Sequence, residues 1–147
     1  MKKLNSDGGP FAYKSRIDPT FTVFVVYKDD KQYKAIKKII PDNDVAFTDL
    51  STKVIIIDGE QLAQLSDDHL YFIENHEICH HLLGHQGAIA NPEQEKEADL
   101  GAYIMLKRRG KNKAADLVKK FFKIRHNTNF KSYEDKHSDD IVKRLGL

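Results

Sequence analysis

One cysteine, Cys79, and no tryptophan occur among the 147 residues. A single thiol excludes an intrachain disulfide and favours a reducing compartment, so a cytoplasmic protein is expected. Long apolar runs are missing: none approaches the roughly 20 residues that cross a bilayer, and no membrane partner is expected. Lys2 and Lys3 lead into Asp7-Gly8-Gly9-Pro10 rather than an apolar stretch, so no signal peptide is expected. An excess of charge of either sign is also missing. Lys and Arg total 24 against 22 Asp and Glu, a formal net charge of +2, which offers no footprint for a nucleic acid. Residues 107–125 are locally basic, but their Lys and Arg alternate with apolar helix positions and read as a solvated face. No repeat or low-complexity tract appears. This length, with 40% hydrophobic and 31% charged residues, suits a single globular domain over 1–147.

What the sequence does contain is His76-Glu77-Ile78-Cys79-His80, an H-E-x-x-H pattern inside a helical stretch. Positions i and i+4 lie one above the other on a helix, so both imidazoles can reach one metal ion. Glu77 sits about 100° round the helix from His76, within reach of a water on that ion. Two metal ligands and a general base are thus packed into five residues. So short a motif arises by chance, and it needs a third ligand.

Asn91-Pro92-Glu93-Gln94-Glu95-Lys96-Glu97-Ala98-Asp99 opens a second helix with a full set of start signals. Asn91 suits the N-cap, Gln94 makes a capping box and Pro92 fits the first helical position. Acidic residues crowd its start, Lys107, Arg108 and Arg109 its end, and Gly110 stops it, giving a helix over 92–109. Glu95 and Asp99 share one face, whereas Glu93 and Glu97 point away from it. Catalytic zinc commonly takes two His and one carboxylate and keeps a fourth position open. Glu95 is therefore the expected third ligand. Asp99 would then accept the other N–H of a ligand His and fix its tautomer. His85 is the alternative, in a three-His site, although Leu83 stands where that pattern has Gly. His81 faces about 100° away from His80, and His69 lies too far up the helix. Cys79 reads as a packed helix residue, since free Cys is among the most buried types.

The rest of the chain supplies a frame. Residues 1–19, punctuated by Gly8, Gly9, Pro10 and Pro19, read as an irregular N-terminal arm. Thr20–Tyr27 is a strand, and Asp29–Ile40 a helix ended by Pro41. Val45–Thr48 and Lys53–Asp58 form a hairpin around Asp49-Leu50-Ser51-Thr52. Ser66 can cap the motif helix, which Gly84 ends. Residues 85–91 form a loop. Asn112–Arg125 is amphipathic, with Ala114, Leu117, Val118, Phe121 and Ile124 inward. His126–Lys136 reads as a polar loop and Ser138–Leu145 as a short last helix. The order β-α-β-β-α-α-α-α predicts an α+β domain, with a small sheet packed beside the motif helix and a helical C-terminal half.

H-E-x-x-H followed by Glu95-x-x-Ala98-Asp99 resembles the gluzincin metallopeptidases. The segment Glu95-Lys96-Glu97-Ala98-Asp99-Leu100-Gly101-Ala102, then Gly110, is similar to the second motif of the HtpX/CAAX-prenyl-protease core. His137-Ser138 and Lys143-Arg144 echo that family's late His-Pro and Arg, without the Pro. Val54–Asp58 followed by the helix ending His76-Glu77-Ile78-Cys79-His80-His81-Leu82-Leu83 is similar to soluble peptidases of the ImmA/IrrE type. The resemblance covers residues 50–125. It implies a zincin-like fold, Zn²⁺ as cofactor and a peptide or protein as substrate. Beside the core-strand reading of Val54–Asp58, it implies an edge strand on which an extended peptide can pair. The expected activity is a soluble zinc endopeptidase: zinc held by His76, His80 and Glu95, an activated water, and Glu77 as general base. His126, Tyr133 and His137 are candidates to stabilise the oxyanion. The alternative is a metal-containing, partner-activated regulatory protein of the ImmA/IrrE kind.

Overall fold

Val23 and Val25, Ile55 and Ile57 are the buried positions of two alternating runs. In the computed structural model, which describes residues 11–40, 45–85 and 91–147, those runs are adjacent parallel strands, β2 (Thr22–Val26) and β4 (Val54–Asp58). Their register sets Val23 opposite Ile55 and Val25 opposite Ile57, so all four apolar side chains share one face. β1 (Phe11–Lys14) pairs antiparallel with β2, and β3 (Ala46–Asp49) antiparallel with β4. The sheet order is β1-β2-β4-β3. The 49–52 turn is held by Asp49 Oδ1, which accepts from the Ser51 N–H and hydroxyl.

Three expectations change in this part. The N-terminal arm is not irregular throughout: Phe11–Lys14 is a strand. The Ser15 N–H bonds the Phe21 carbonyl and the Ser15 hydroxyl accepts from Ile17, which together turn the chain into β2. The edge-strand reading of Val54–Asp58 fails, because β4 is paired on both sides; the edges, among the described residues, are β1 and β3. The first helix, α1 (Tyr33–Ile39), is shorter than 29–40 and buries none of its residues. Asp30 takes the preceding residues out of it, accepting the Tyr27 N–H at 2.8 Å and closing a turn after β2. The stop assigned to Pro41, and residues 86–90 of the loop assigned to 85–91, lie outside the described residues.

At the end of β4, Asp58 caps a short 3₁₀ segment (Gly59–Gln64) by accepting the Glu60 N–H. It also accepts from the Tyr33 hydroxyl, Lys37 Nζ and Gln61 Nε2, all at 3.0–3.1 Å. Burial and this hydrogen bond push the Tyr33 phenol up to about 12.

The chain divides after Ser66 into two compact units. The sheet belongs to the first. The second is helical: α2 (Asp67–Leu82), α3 (Pro92–Arg108), α4 (Asn112–His126) and α5 (Phe130–Arg144). The architecture is thus α+β with a helical C-terminal half, as expected. The signals read for α3 operate: Asn91 Oδ1 accepts from the Glu93 and Gln94 N–H groups, Pro92 is the first helical residue, and Gly110 follows the end at φ 73°. α2 and α3 approach closely at Gly101, where an added Cβ would lie 2.9 Å from Cys79 Sγ.

Two expectations change here too. α4 buries Ala114, Ala115, Val118 and Phe122, whereas Ile124 is exposed. Its inward stripe is rotated about one residue from the expected one. The polar loop assigned to 126–136 is mostly helix. Asn127 takes the left-handed conformation that ends α4, and Asn129 caps α5 through the Ser132 N–H. Phe130, Tyr133 and Ile141, at helical spacing, form its buried side.

Candidate metal centre

α2 sets His76 and His80 one turn apart, and their Nε2 atoms lie 3.1 Å from each other. α3 brings Glu95 between them, Oε2 at 2.9 Å from His76 Nε2 and Oε1 at 3.2 Å from His80 Nε2. The three ligand atoms lie within 4.8 Å of one another, a group that could hold a metal ion. Among the described residues no other such group occurs. Glu77 is buried beside it, its Oε1 3.9 Å from His76 Nε2. On the same helix Asn75 is fully buried, and neither of its side-chain polar atoms has a hydrogen-bond partner among the described residues. An unpaired buried amide costs about 1–3 kcal/mol.

The donor chemistry fits a cation. His76 Nδ1 lies 2.6 Å from Asp99 Oδ1, and a carboxylate only accepts, so Nδ1 carries the hydrogen. Nε2 is left to face Glu95. Burial works to lower the His76 pKa, but the Asp99 charge and the hydrogen bonds to Asp99 and Glu95 outweigh it and raise it to about 10. A dication would take the place of that proton. Burial lowers His80, with the charge of His76 adding to it. Burial opposes ionisation of Glu95 and Asp99, yet both carboxyls are held well below the usual range: Glu95 by hydrogen bonds from both histidines, Asp99 by the His76 charge and by hydrogen bonds from His126 and His76.

The residues expected around the group fall in different places. Asp99 does contact a candidate ligand, His76. His126 also bonds Asp99, through Nε2. Tyr133 donates to Glu93 Oε1 at 2.8 Å, and His137 stacks on Tyr133 with ring centroids 4.2 Å apart. Cys79 is packed, and burial pushes its thiol up. His85 is not among the converging atoms: its Nδ1 lies 2.8 Å from His80 Nδ1, on the far edge of that ring.

Arg125 was not foreseen. Its Nε donates to Asp99 Oδ2 at 3.0 Å, and the guanidinium lies over Phe72 and 3.9 Å from Glu95 Oε2. Glu97 and Arg144 were not foreseen either. Glu97 accepts from His85 Nε2 at 2.7 Å and from Arg144 at 2.8 Å. Burial opposes its ionisation, but the Arg144 and His85 hydrogen bonds hold its carboxyl below the usual range. The basic end of α4 and the late Arg were the only traces of these contacts in the sequence.

Compared with known proteins, the chain matches no family model, no curated protein and no solved structure.

Proposed function

We propose that the protein is a zinc-dependent metalloendopeptidase of the gluzincin type, acting on a peptide or protein, with zinc on His76, His80 and Glu95. One observation carries this reading: two imidazole Nε2 atoms and a carboxylate converge while each imidazole's Nδ1 is already engaged. Two nitrogens and one carboxylate are a common catalytic set for zinc, which then keeps one position free. Zinc bound there supplies Lewis acidity, which activates water and polarises the scissile carbonyl. Glu77, at the side of the group, takes the proton of the attacking water and hands it to the leaving amine. Asp99 holds His76 in the Nδ1–H tautomer, which would leave Nε2, the nitrogen facing Glu95, as the metal-binding atom. Arg125 and His126 hold Asp99 from the other side. The sequence resemblance of H-E-x-x-H and Glu95-x-x-Ala98-Asp99 to gluzincins supports the same assignment.

The test is cleavage of casein and of a peptide library, with and without chelator, beside Glu77→Gln. Chelation should abolish cleavage and added zinc restore it. Glu77→Gln should keep its zinc while turnover falls by about 10²–10⁴. A wild type that holds zinc and cleaves nothing would favour a regulatory metal-binding protein.

A further inference from the structure

Asp99 orients His76, and a different chain of contacts reaches His80. His80 Nδ1 is 2.8 Å from His85 Nδ1, His85 Nε2 is 2.7 Å from Glu97 Oε1, and Glu97 Oε2 is 2.8 Å from Arg144. Arg144 also donates to the Leu83 carbonyl, just past the end of α2. Only one arrangement of hydrogens satisfies this chain when His80 offers Nε2 as a ligand. His80 Nδ1 carries a hydrogen and donates it to His85 Nδ1. His85 therefore carries its own hydrogen on Nε2, which donates to Glu97. Glu97, ionised, accepts there and from the guanidinium. Each hydrogen in the chain meets an acceptor: donation runs from the His80 ring through His85 to Glu97, which the arginine also serves as a donor from the other side.

We infer that His85, Glu97 and Arg144 form a positioning relay that fixes the tautomer and ring orientation of His80, so that α5 helps to hold the ligand group on α2. The relay rests on the assignment of His76, His80 and Glu95 as zinc ligands, and makes His85 an orienting residue rather than a third ligand. His85 follows the left-handed Gly84, which turns the chain back toward His80. The Glu97 side chain is 17% exposed and that of His85 3%, so the inner links of the relay are shielded from competing water. An imidazole in the middle, rather than a carboxylate directly on the ligand, places the negative charge one ring away from His80.

Two measurements on the full chain test this. The first is competitive chelator titration with Zn²⁺. Wild type must bind about one equivalent; if it binds none, the ligand assignment itself has failed. Given binding, His85→Ala and Glu97→Ala should each weaken affinity about 10–100-fold, the usual effect of losing an orienting partner. Arg144→Ala should weaken it less, and Arg144→Lys should restore most of the loss. Unchanged affinity in folded His85→Ala and Glu97→Ala overturns the relay, as does a folded His85→Ala that takes up no zinc at all. The second measurement needs no variant: ¹⁵N NMR of the imidazoles in the zinc-loaded wild type. His80 should appear as the Nδ1–H tautomer and His85 as the Nε2–H tautomer. His85 with its hydrogen on Nδ1 would overturn the proposal even if every variant misfolded.

Discussion

Asp58 in the first unit and Asp99 in the second are sealed from solvent to nearly the same degree, 1% and 0% exposed. Burial opposes the ionisation of both, yet both carboxyls are held low: Asp58 by hydrogen bonds, Asp99 by the His76 charge and by hydrogen bonds from His126 and His76. Their partners differ. Asp58 gathers Tyr33, Lys37, Gln61 and the Glu60 N–H, joining α1, β4 and the 3₁₀ segment. Asp99 gathers Arg125, His126 and His76, and His76 has a second nitrogen that faces Glu95. Burial alone therefore does not separate a structural carboxylate from one proposed to orient a ligand. A partner with two usable ends does, because it carries the effect of the carboxylate to another atom.

The largest effect expected from this difference lies on the far side of His76 from Asp99, at Glu95. Glu95→Ala removes a proposed ligand, so zinc affinity should fall by more than the roughly 10–100-fold typical of an orienting partner. A chelator titration that showed a smaller loss would detach the second carboxylate of α3 from the site. Next come the two buried aspartates themselves. Asp99→Asn should fold and bind zinc about 10–100-fold more weakly, whereas Asp58→Asn should leave affinity unchanged. The cost of Asp58→Asn should appear instead in urea denaturation, about 1–3 kcal/mol for hydrogen bonds broken at a buried group. Equal losses of affinity in the two variants would erase the distinction.

The smallest effect, taken from one pH unit to the next, is in pH dependence. The His76 pKa is raised from 6.5 to about 10 in the folded metal-free protein. Its contribution to stability is therefore complete below 6.5 and is lost as pH rises through about 10. The lowered carboxyls of Glu95 and Asp99 act in the other direction: their contribution is present above the ordinary 4.5 and 3.8 and is lost only at acid pH. Metal-free protein should thus melt at lower temperature at pH 9 than at pH 6, with a shallower difference in Asp99→Asn. Zinc displaces the same proton, so apparent affinity should rise about tenfold per pH unit between about 7 and 9, after correction for the chelator. A flat profile would mean that His76 is neutral before the ion arrives.

Much of α3 and the convergence of His76, His80 and Glu95 were legible, because local chemistry specifies them. Asn91, Pro92 and Gly110 act through neighbours within four residues, and the spacings 76–80 and 95–99 follow from helix geometry alone. α5 was misread because its sequence is polar. Only Phe130, Tyr133 and Ile141 mark its buried side, and Asn127 and Asn129 look like loop residues until their roles as stop and cap are known. The strand at Phe11–Lys14 was missed behind Gly8, Gly9 and Pro10. The contacts around His76 and His80 were the least legible. Asp99 is 26 residues from Arg125, and Glu97 is 47 from Arg144. No periodicity links residues so far apart, and each arginine lies where a helix end would carry positive charge in any case.

Cys79 occupies the space that any side chain at position 101 would claim, between α2 and α3, one residue before His80. As the sole thiol, buried and un-ionised at neutral pH, it can meet an alkylating reagent only when those two helices part. The same parting would draw His80 away from Glu95. The rate at which this sulfur is labelled is therefore a clock for the opening of the ligand group. Anything that binds only the closed arrangement slows that clock in proportion to its occupancy, whether or not any peptide is cut.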